Sequence, residues 1–239
     1  MLPQNLEESI EQAQVATKAA IEAGHGRVTA EFIYPELRFM GIAEQFLPVF
    51  AEYGSGLRVF FSDTGAAALA KRDWPDAGFK ISDMGSSRSP IVDKIQPADQ
   101  IYVAVEPSAV EVEQIEKLCL NAENRPVVLL LPKLEDAAIV GIGYAARQLR
   151  DRFISTLVTA YYIKPLSDEV IIYRCFPGEW QVWQAKDGGE YEVVAELSHK
   201  PLGDELDRIL AGGDATADAP VTPAGMFAGL QRFMRTLSR

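Results

Sequence analysis

The sequence predicts an α/β fold: a three-layer, Rossmann-like parallel sheet with helices on both faces, extended by an antiparallel C-terminal meander. Three observations carry this expectation. Amphipathic helical stretches alternate with short β-branched runs over residues 1–155. Val127 to Leu131 is an unbroken aliphatic run, the pattern of a strand covered on both faces and therefore of a parallel sheet. Over residues 156–200, four strand-like runs follow one another with only short turns between them, which leaves no room for crossover helices.

The elements follow in order. Asn5 and Glu8 have capping-box spacing, and Leu6, Ile10, Ala13, Thr17, Ala20 and Ile21 recur on one helical face before Gly24. Arg27 to Ile33 is the first strand, ended by Tyr34-Pro35. Ile42 to Phe50 is helical and interrupted near Pro48; Leu57 to Phe61 is a strand; alanine-rich Thr64 to Lys71 is the helix after it. Phe79 to Ile81 is a short strand, and Asp83 to Ala98, with two prolines and several serines, is a loop. Gln100 to Val105 is the next strand. Pro107-Ser108 opens a helix in which Ser108 and Glu111 again have capping-box spacing, while Val112, Ile115 and Leu118 face inward. Gly141 to Phe153 is helical. The meander comprises Leu157 to Ile163, Val170 to Phe176, Trp180 to Ala185 and Tyr191 to Leu197, with turns at Leu166-Ser167-Asp168, Pro177-Gly178 and Asp187-Gly188-Gly189.

Glu205 to Leu210 adds one more helix and completes a single domain over 1–210; a separate small α+β subdomain for the meander is the alternative. Residues 211–223 have the small, polar, proline-rich composition of a flexible linker. Residues 224–239 form an amphipathic helix with an apolar stripe of Met226, Phe227, Leu230, Phe233, Met234 and Leu237 beside Arg232, Arg235 and Arg239.

The bulk properties exclude several function classes. With 239 residues the chain is long enough for a sizeable core. Its net charge of -11 opposes non-specific attraction to nucleic acid or anionic lipid. No apolar run reaches the roughly 20 residues that span a bilayer, and Met1 to Gln12 reads as neither a signal nor a transit peptide. Cys119 and Cys175 lie in apolar surroundings without a CxxC pattern, so buried reduced thiols are expected. His25 and His199 are isolated and read as surface residues, and no metal or cofactor is expected.

In an open parallel sheet, ligands bind beyond the carboxyl ends of the strands. Here that geometry selects Glu36 and Arg38 after the first strand and Ser62, Asp63 and Thr64 after the second. It adds Glu106 after the next main strand, and Lys133 and Glu135 after Val127 to Leu131. One reading is a small polar or anionic ligand held by Arg38, Lys133 and the amides near Gly65, with Asp63 or Glu106 orienting it. The other is that Asp63 or Thr64 caps its helix and that the basic groups are solvated. Ser62-Asp63-Thr64-Gly65 has one glycine where phosphate loops need several, and no GxSxG, HExxH or metal-spaced acidic cluster occurs. No catalytic residue is assigned.

The meander is rich in aromatics, among them Tyr161, Tyr162, Tyr173, Trp180, Trp183 and Tyr191. Cross-strand core packing explains such residues; an exposed Trp180 or Trp183 would instead offer a partner an anchor. Phe227 and Phe233 in the C-terminal helix pose the same choice between folding back on the domain and lying on a partner or a membrane surface.

Several motifs occur in a specific order. Pro3 and Glu7 in the opening helix precede Phe61-Ser62-Asp63-Thr64-Gly65-Ala66-Ala67-Ala68-Leu69-Ala70, Asp73-Trp74 and Arg125-Pro126-Val127-Val128-Leu129-Leu130. Tyr161-Tyr162-Ile163-Lys164-Pro165, Tyr173-Arg174-Cys175-Phe176-Pro177 and Trp180-Gln181-Val182-Trp183 follow. Over most of residues 1–210 this order resembles a cyanobacterial and chloroplast domain of unknown function. That family includes the low photosystem II accumulation 3 type of assembly factor, and a similar domain is appended to a plastid adenylate kinase. The resemblance implies a stromal or cyanobacterial cytoplasmic auxiliary protein, peripheral to the thylakoid, that binds a photosynthetic membrane protein or assembly factor; the start of this sequence points to the cyanobacterial case. It implies no catalytic residues. From another class, the alternative is a small-molecule or nucleotide-binding α/β protein, whether an enzyme or a binding protein, with its site at the strand ends.

Overall fold

The structure is a computed structural model that describes residues 1–134, 144–186 and 189–212. It divides into two units, residues 1–200 and a second that begins at Pro201.

The first unit is built on one nine-stranded sheet with the strand order β3-β2-β4-β5-β1-β6-β7-β8-β9. Strands β1 (Arg27–Phe32), β2 (Leu57–Phe61), β3 (Lys80–Asp83), β4 (Ile101–Val105) and β5 (Val127–Leu130) pair in parallel, as does β1 with β6 (Val158–Ser167). From β6 onward the pairing is antiparallel through β7 (Val170–Cys175), β8 (Trp180–Ala185) and β9 (Tyr191–Leu197). The expected α/β class, with a parallel part and a meander, is what the chain forms.

Six α-helices occur among the described residues: α1 (Leu6–Glu22), α2 (Phe39–Phe46), α3 (Thr64–Asp73), α4 (Val112–Asn121), α5 (Tyr144–Arg152) and α6 (Gly203–Leu210), the last in the second unit. The first three cover one face of the sheet. There Ile10, Ala13, Phe46 and Ala70 pack against Val28, Val59, Val103 and Leu130 in one apolar cluster. Helix α4, the 3-10 turn Ile91–Lys94 and Phe153 after α5 cover the other face, against Phe60, Tyr102, Ala104 and Leu129. Connections that step one way along the sheet (β1 to β2 to β3) thus use one face. Those that step back (β3 to β4 to β5 to β6) use the other, as right-handed crossovers require.

Local sequence explains the element ends. Asn5 caps α1 by accepting from the Glu8 amide at 2.9 Å, and the Glu8 carboxylate accepts in return from the Gln4 amide at 2.8 Å. Leu6, expected inward, is 39% exposed, because the buried stripe of α1 runs through Ser9, Ile10, Ala13, Ala16, Thr17 and Ala20. The helix expected over Ile42 to Phe50 ends at Phe46 and tightens into 3-10 turns over Leu47–Gly56, with Pro48 at their start. Helix α4 starts at Val112, later than expected: the Glu111 carboxylate accepts from the Ser108 amide at 2.9 Å and from its hydroxyl at 2.6 Å, and that pair closes a turn before the helix.

The segment expected as a loop over Asp83 to Ala98 is tightly fixed. Lys94 Nζ donates to the Asp83 carboxylate at 2.5 Å, the Ile91 amide donates to Gln114 Oε1 at 3.0 Å, and the Ile91 side chain is buried. Gly85 is required in it: φ is +81°, and a Cβ there would meet the Ser89 carbonyl oxygen at 2.2 Å. At the amino ends of β2 and β4, Arg58 Nε donates to Asp99 at 2.7 Å and Nη2 at 3.2 Å, in a bidentate pair whose residues are 5% and 3% exposed. Lys80 Nζ and the Gln96 amide also donate to Asp99, at 3.1 and 2.8 Å.

Cys119 is buried and Cys175 half-buried, both as free thiols. His199 is exposed, whereas His25, expected on the surface, is half-buried and packs edge-on to Phe176 with ring centroids 5.4 Å apart.

Candidate functional site at the carboxyl ends of the parallel strands

Strands β5 and β1 are neighbours, yet the chain leaves β1 toward the face covered by α2 and leaves β5 toward the face carrying Leu134 and Phe153. Diverging exits of this kind open a crevice at the sheet edge. The crevice is present as a cavity of about 270 Å³, lined by Phe32, Ile33, Tyr34, Glu36, Leu37, Phe39, Glu106, Leu131, Pro132 and Lys133. An apolar hollow of about 280 Å³ near Leu47, Phe50 and Trp74 lies at the opposite end of the sheet, beside the first residue of β2. It is remote from the helix N-termini and loop amides that make strand ends chemically useful.

The backbone around the crevice is held in an uncommon state. Glu36, Glu106 and Leu131 have φ of 58°, 52° and 54°, the left-handed region in which a side chain costs about 1–2 kcal/mol. Each follows a strand end. The Glu106 amide still donates to Leu130 O at 2.8 Å and the Leu131 amide to Ala30 O at 2.8 Å, after which the chain turns away. The last rungs of the ladder are therefore kept while both exits are bent sharply. Of the four non-glycine residues in this region among the described residues, three line this one cavity.

The sequence-selected residues fall into separate places. Glu106 and Lys133 meet, with Lys133 Nζ donating to Glu106 Oε1 at 2.5 Å, and both line the cavity. A further link between their loops is the Lys133 amide donating to Pro107 O at 2.8 Å. Asp63 is the N-cap of α3, accepting from the Ala66 amide at 2.9 Å. Thr64 and Gly65 begin that helix, exposed, at the end of β2 and outside the cavity lining. Arg38 occupies the N-cap position of α2 without a side-chain cap bond and is exposed; its neighbours Leu37 and Phe39 line the cavity, and Arg38 does not. Glu135 lies outside the described residues.

Tyr34 and Phe39 were not among the sequence-selected residues. Burial pushes the Tyr34 phenol above its usual pKa, so it stays a neutral hydroxyl at the crevice wall. Among the described residues, no group of three or more His, Cys, Asp or Glu side chains is arranged to hold a metal ion.

The meander separates its two tryptophans. Trp180 is 4% exposed and packs on Tyr162 with centroids 5.1 Å apart, beneath the Arg174 guanidinium at 5.4 Å. This is the cross-strand arrangement, and it leaves little of that ring for a partner. Trp183 lies on the opposite face, half-buried, in register with Ile171 on β7 and Val193 on β9. Val193 is 37% exposed. The row Ile171–Trp183–Val193 thus runs from the edge of the core out to solvent. Phe227 and Phe233 lie outside the described residues. No helix among the described residues is long and apolar enough to cross a membrane.

Comparison with known proteins adds one relationship. No curated protein and no solved structure matches this chain. A family profile described as a domain of unknown function, DUF1995, matches residues 3–208, which takes in every strand of the sheet, the crevice and the aromatic ribbon. By that match over most of its length, the chain belongs to the DUF1995 family.

Proposed function

We propose that this chain is an auxiliary, protein-binding factor of photosynthesis that serves the assembly or maintenance of photosystem II at the thylakoid surface. The binding role is carried by one observation, the in-register apolar row Ile171–Trp183–Val193 at the end of the ribbon. Tryptophan is among the residues most enriched in binding hot spots, and Trp183 is half-buried on the face where Val193 opens to solvent. The photosynthetic setting comes from the order of motifs between Pro3 and Trp183, which resembles the low photosystem II accumulation 3 type of assembly factor. On this reading the protein works from the cytoplasm of a cyanobacterium, peripheral to the membrane. It acts by contact with a membrane protein or a fellow assembly factor, without catalysis, cofactor or nucleic acid.

Disrupting the chain's gene in its photosynthetic host tests the role. The expected result is a lower content of oxygen-evolving photosystem II per cell, with photosystem I unchanged, restored by the wild-type chain. An unchanged photosystem II content under growth and under recovery from strong light contradicts it.

A further inference from the structure

The crevice between the ends of β1, β4 and β5 has a composition of its own. Two half-buried aromatic residues, Tyr34 and Phe39, line it together with two carboxylates, Glu36 and Glu106; Phe32 also borders it but is 3% exposed, with its ring packed on Tyr161. Its only cation among the described residues is Lys133, which Glu106 already neutralises. The Glu36 carboxylate has no hydrogen bond or ion pair among the described residues. The wall thus combines π-rings, aliphatic surface from Leu37 and Leu131, and one uncommitted negative charge.

We propose that this crevice binds a small organic ammonium ion of the alkylated kind. Aromatic rings attract such cations through the negative face of the ring, and a carboxylate beside them adds a Coulomb term without demanding that the cation shed tightly held water. An anion is disfavoured: it would have to take Lys133 from Glu106 and sit beside Glu36. A purely apolar ligand leaves the carboxylates unused. The volume of about 270 Å³ has room for roughly ten non-hydrogen atoms, which suits a trimethylammonium head with a short tail. The left-handed conformations of Glu36, Glu106 and Leu131 hold the wall in place before a ligand arrives. This inference is independent of the photosynthetic reading, and either can stand without the other.

The test is a titration of the full chain followed by amide resonances in two-dimensional NMR, with choline as the probe. Its uncharged isostere 3,3-dimethyl-1-butanol and the anion butyrate are the comparisons. Saturable shifts at Glu36, Leu37, Leu131 and Lys133 with choline are expected, with the isostere at least about tenfold weaker. Glu36→Gln, an exposed change that leaves the fold intact, weakens choline about fivefold, and Phe39→Leu weakens it while retaining the apolar wall. Equal response to the isostere overturns the proposal in favour of simple apolar partitioning, and tighter butyrate binding makes Lys133 an anion site. Absence of saturable shifts up to about 50 mM choline also overturns it.

Discussion

Glu106 and Lys133, 27 positions apart in the chain, close the ends of neighbouring strands β4 and β5 through a 2.5 Å contact between Oε1 and Nζ. The lysine side chain is 60% exposed and the glutamate side chain 20% exposed. A pair so open to solvent contributes little to stability, and its place in the crevice is a matter of charge balance there.

Lys133→Met should therefore change the free energy of unfolding by less than about 1 kcal/mol. Urea denaturation of the variant checks this, and a loss above about 2 kcal/mol would mean that the pair holds the fold together.

Glu36 is exposed and sits at φ 58°. Replacing it by glycine removes the left-handed penalty and adds chain entropy to the unfolded state, with a net gain of about 0.5–1 kcal/mol. Thermal unfolding of Glu36→Gly should show a raised Tm, while Glu36→Val lowers it. The reverse order would show that the wall is not strained.

The buried Arg58–Asp99 pair behaves differently. Burial by itself pushes the Asp99 carboxyl up, but hydrogen bonds from Arg58, the Gln96 amide and Lys80 outweigh it, and the net shift is downward. A carboxyl lowered in the folded state contributes stability that is complete above its unfolded value of about 3.9 and is lost as pH falls through the folded value. The wild-type urea midpoint should drop steeply on acidification below about pH 4. Asp99→Asn, which strands the Arg58 charge, should cost about 3–5 kcal/mol at pH 7 and flatten the acid limb. A variant as stable as wild type at pH 7 would contradict the role assigned to this pair.

Burial pushes the Cys119 thiol up to about 12, so almost none of Cys119 is thiolate in the native protein at neutral pH. A chromogenic disulfide reagent should label Cys119 only as fast as the chain unfolds, with half-buried Cys175 reacting ahead of it. Mass mapping after partial labelling distinguishes the two, and prompt native-state labelling of Cys119 contradicts its burial.

What the sequence made legible follows from local pattern. Strands β2, β8 and β9 fall where short β-prone runs bounded by turn residues place them, because strand composition and turn chemistry are local properties. Strand parity separates Trp180 from Trp183: an odd spacing along one strand sends the two rings to opposite faces. Strand order was not legible. Nothing local tells β1 to insert between β5 and β6, since patterning fixes which face is buried and leaves the neighbour open. Arg58 and Asp99 are 41 positions apart and look like surface residues until the sheet brings them together. At the crevice, chain position placed Glu36, Glu106 and Lys133 at strand ends. The left-handed turns that gather them fall on residues other than glycine, and no sequence signal marks those. Neither Tyr34 nor Phe39 carries a signal that marks a site: Tyr34 ends a strand beside Pro35, and Phe39 lies ahead of the helix expected from Ile42.

The central claim, that the protein works as a surface gripped by a photosynthetic partner, is tested most directly by affinity purification of the tagged full chain from its photosynthetic host. The comparison is Val193→Lys, a change at an exposed edge-strand position that the fold tolerates. The account predicts that photosystem II subunits or their assembly factors co-purify with the wild-type chain and are depleted at least about fivefold with the variant. Recovery of no photosystem II component with the wild-type chain, or equal recovery with both chains, would contradict it.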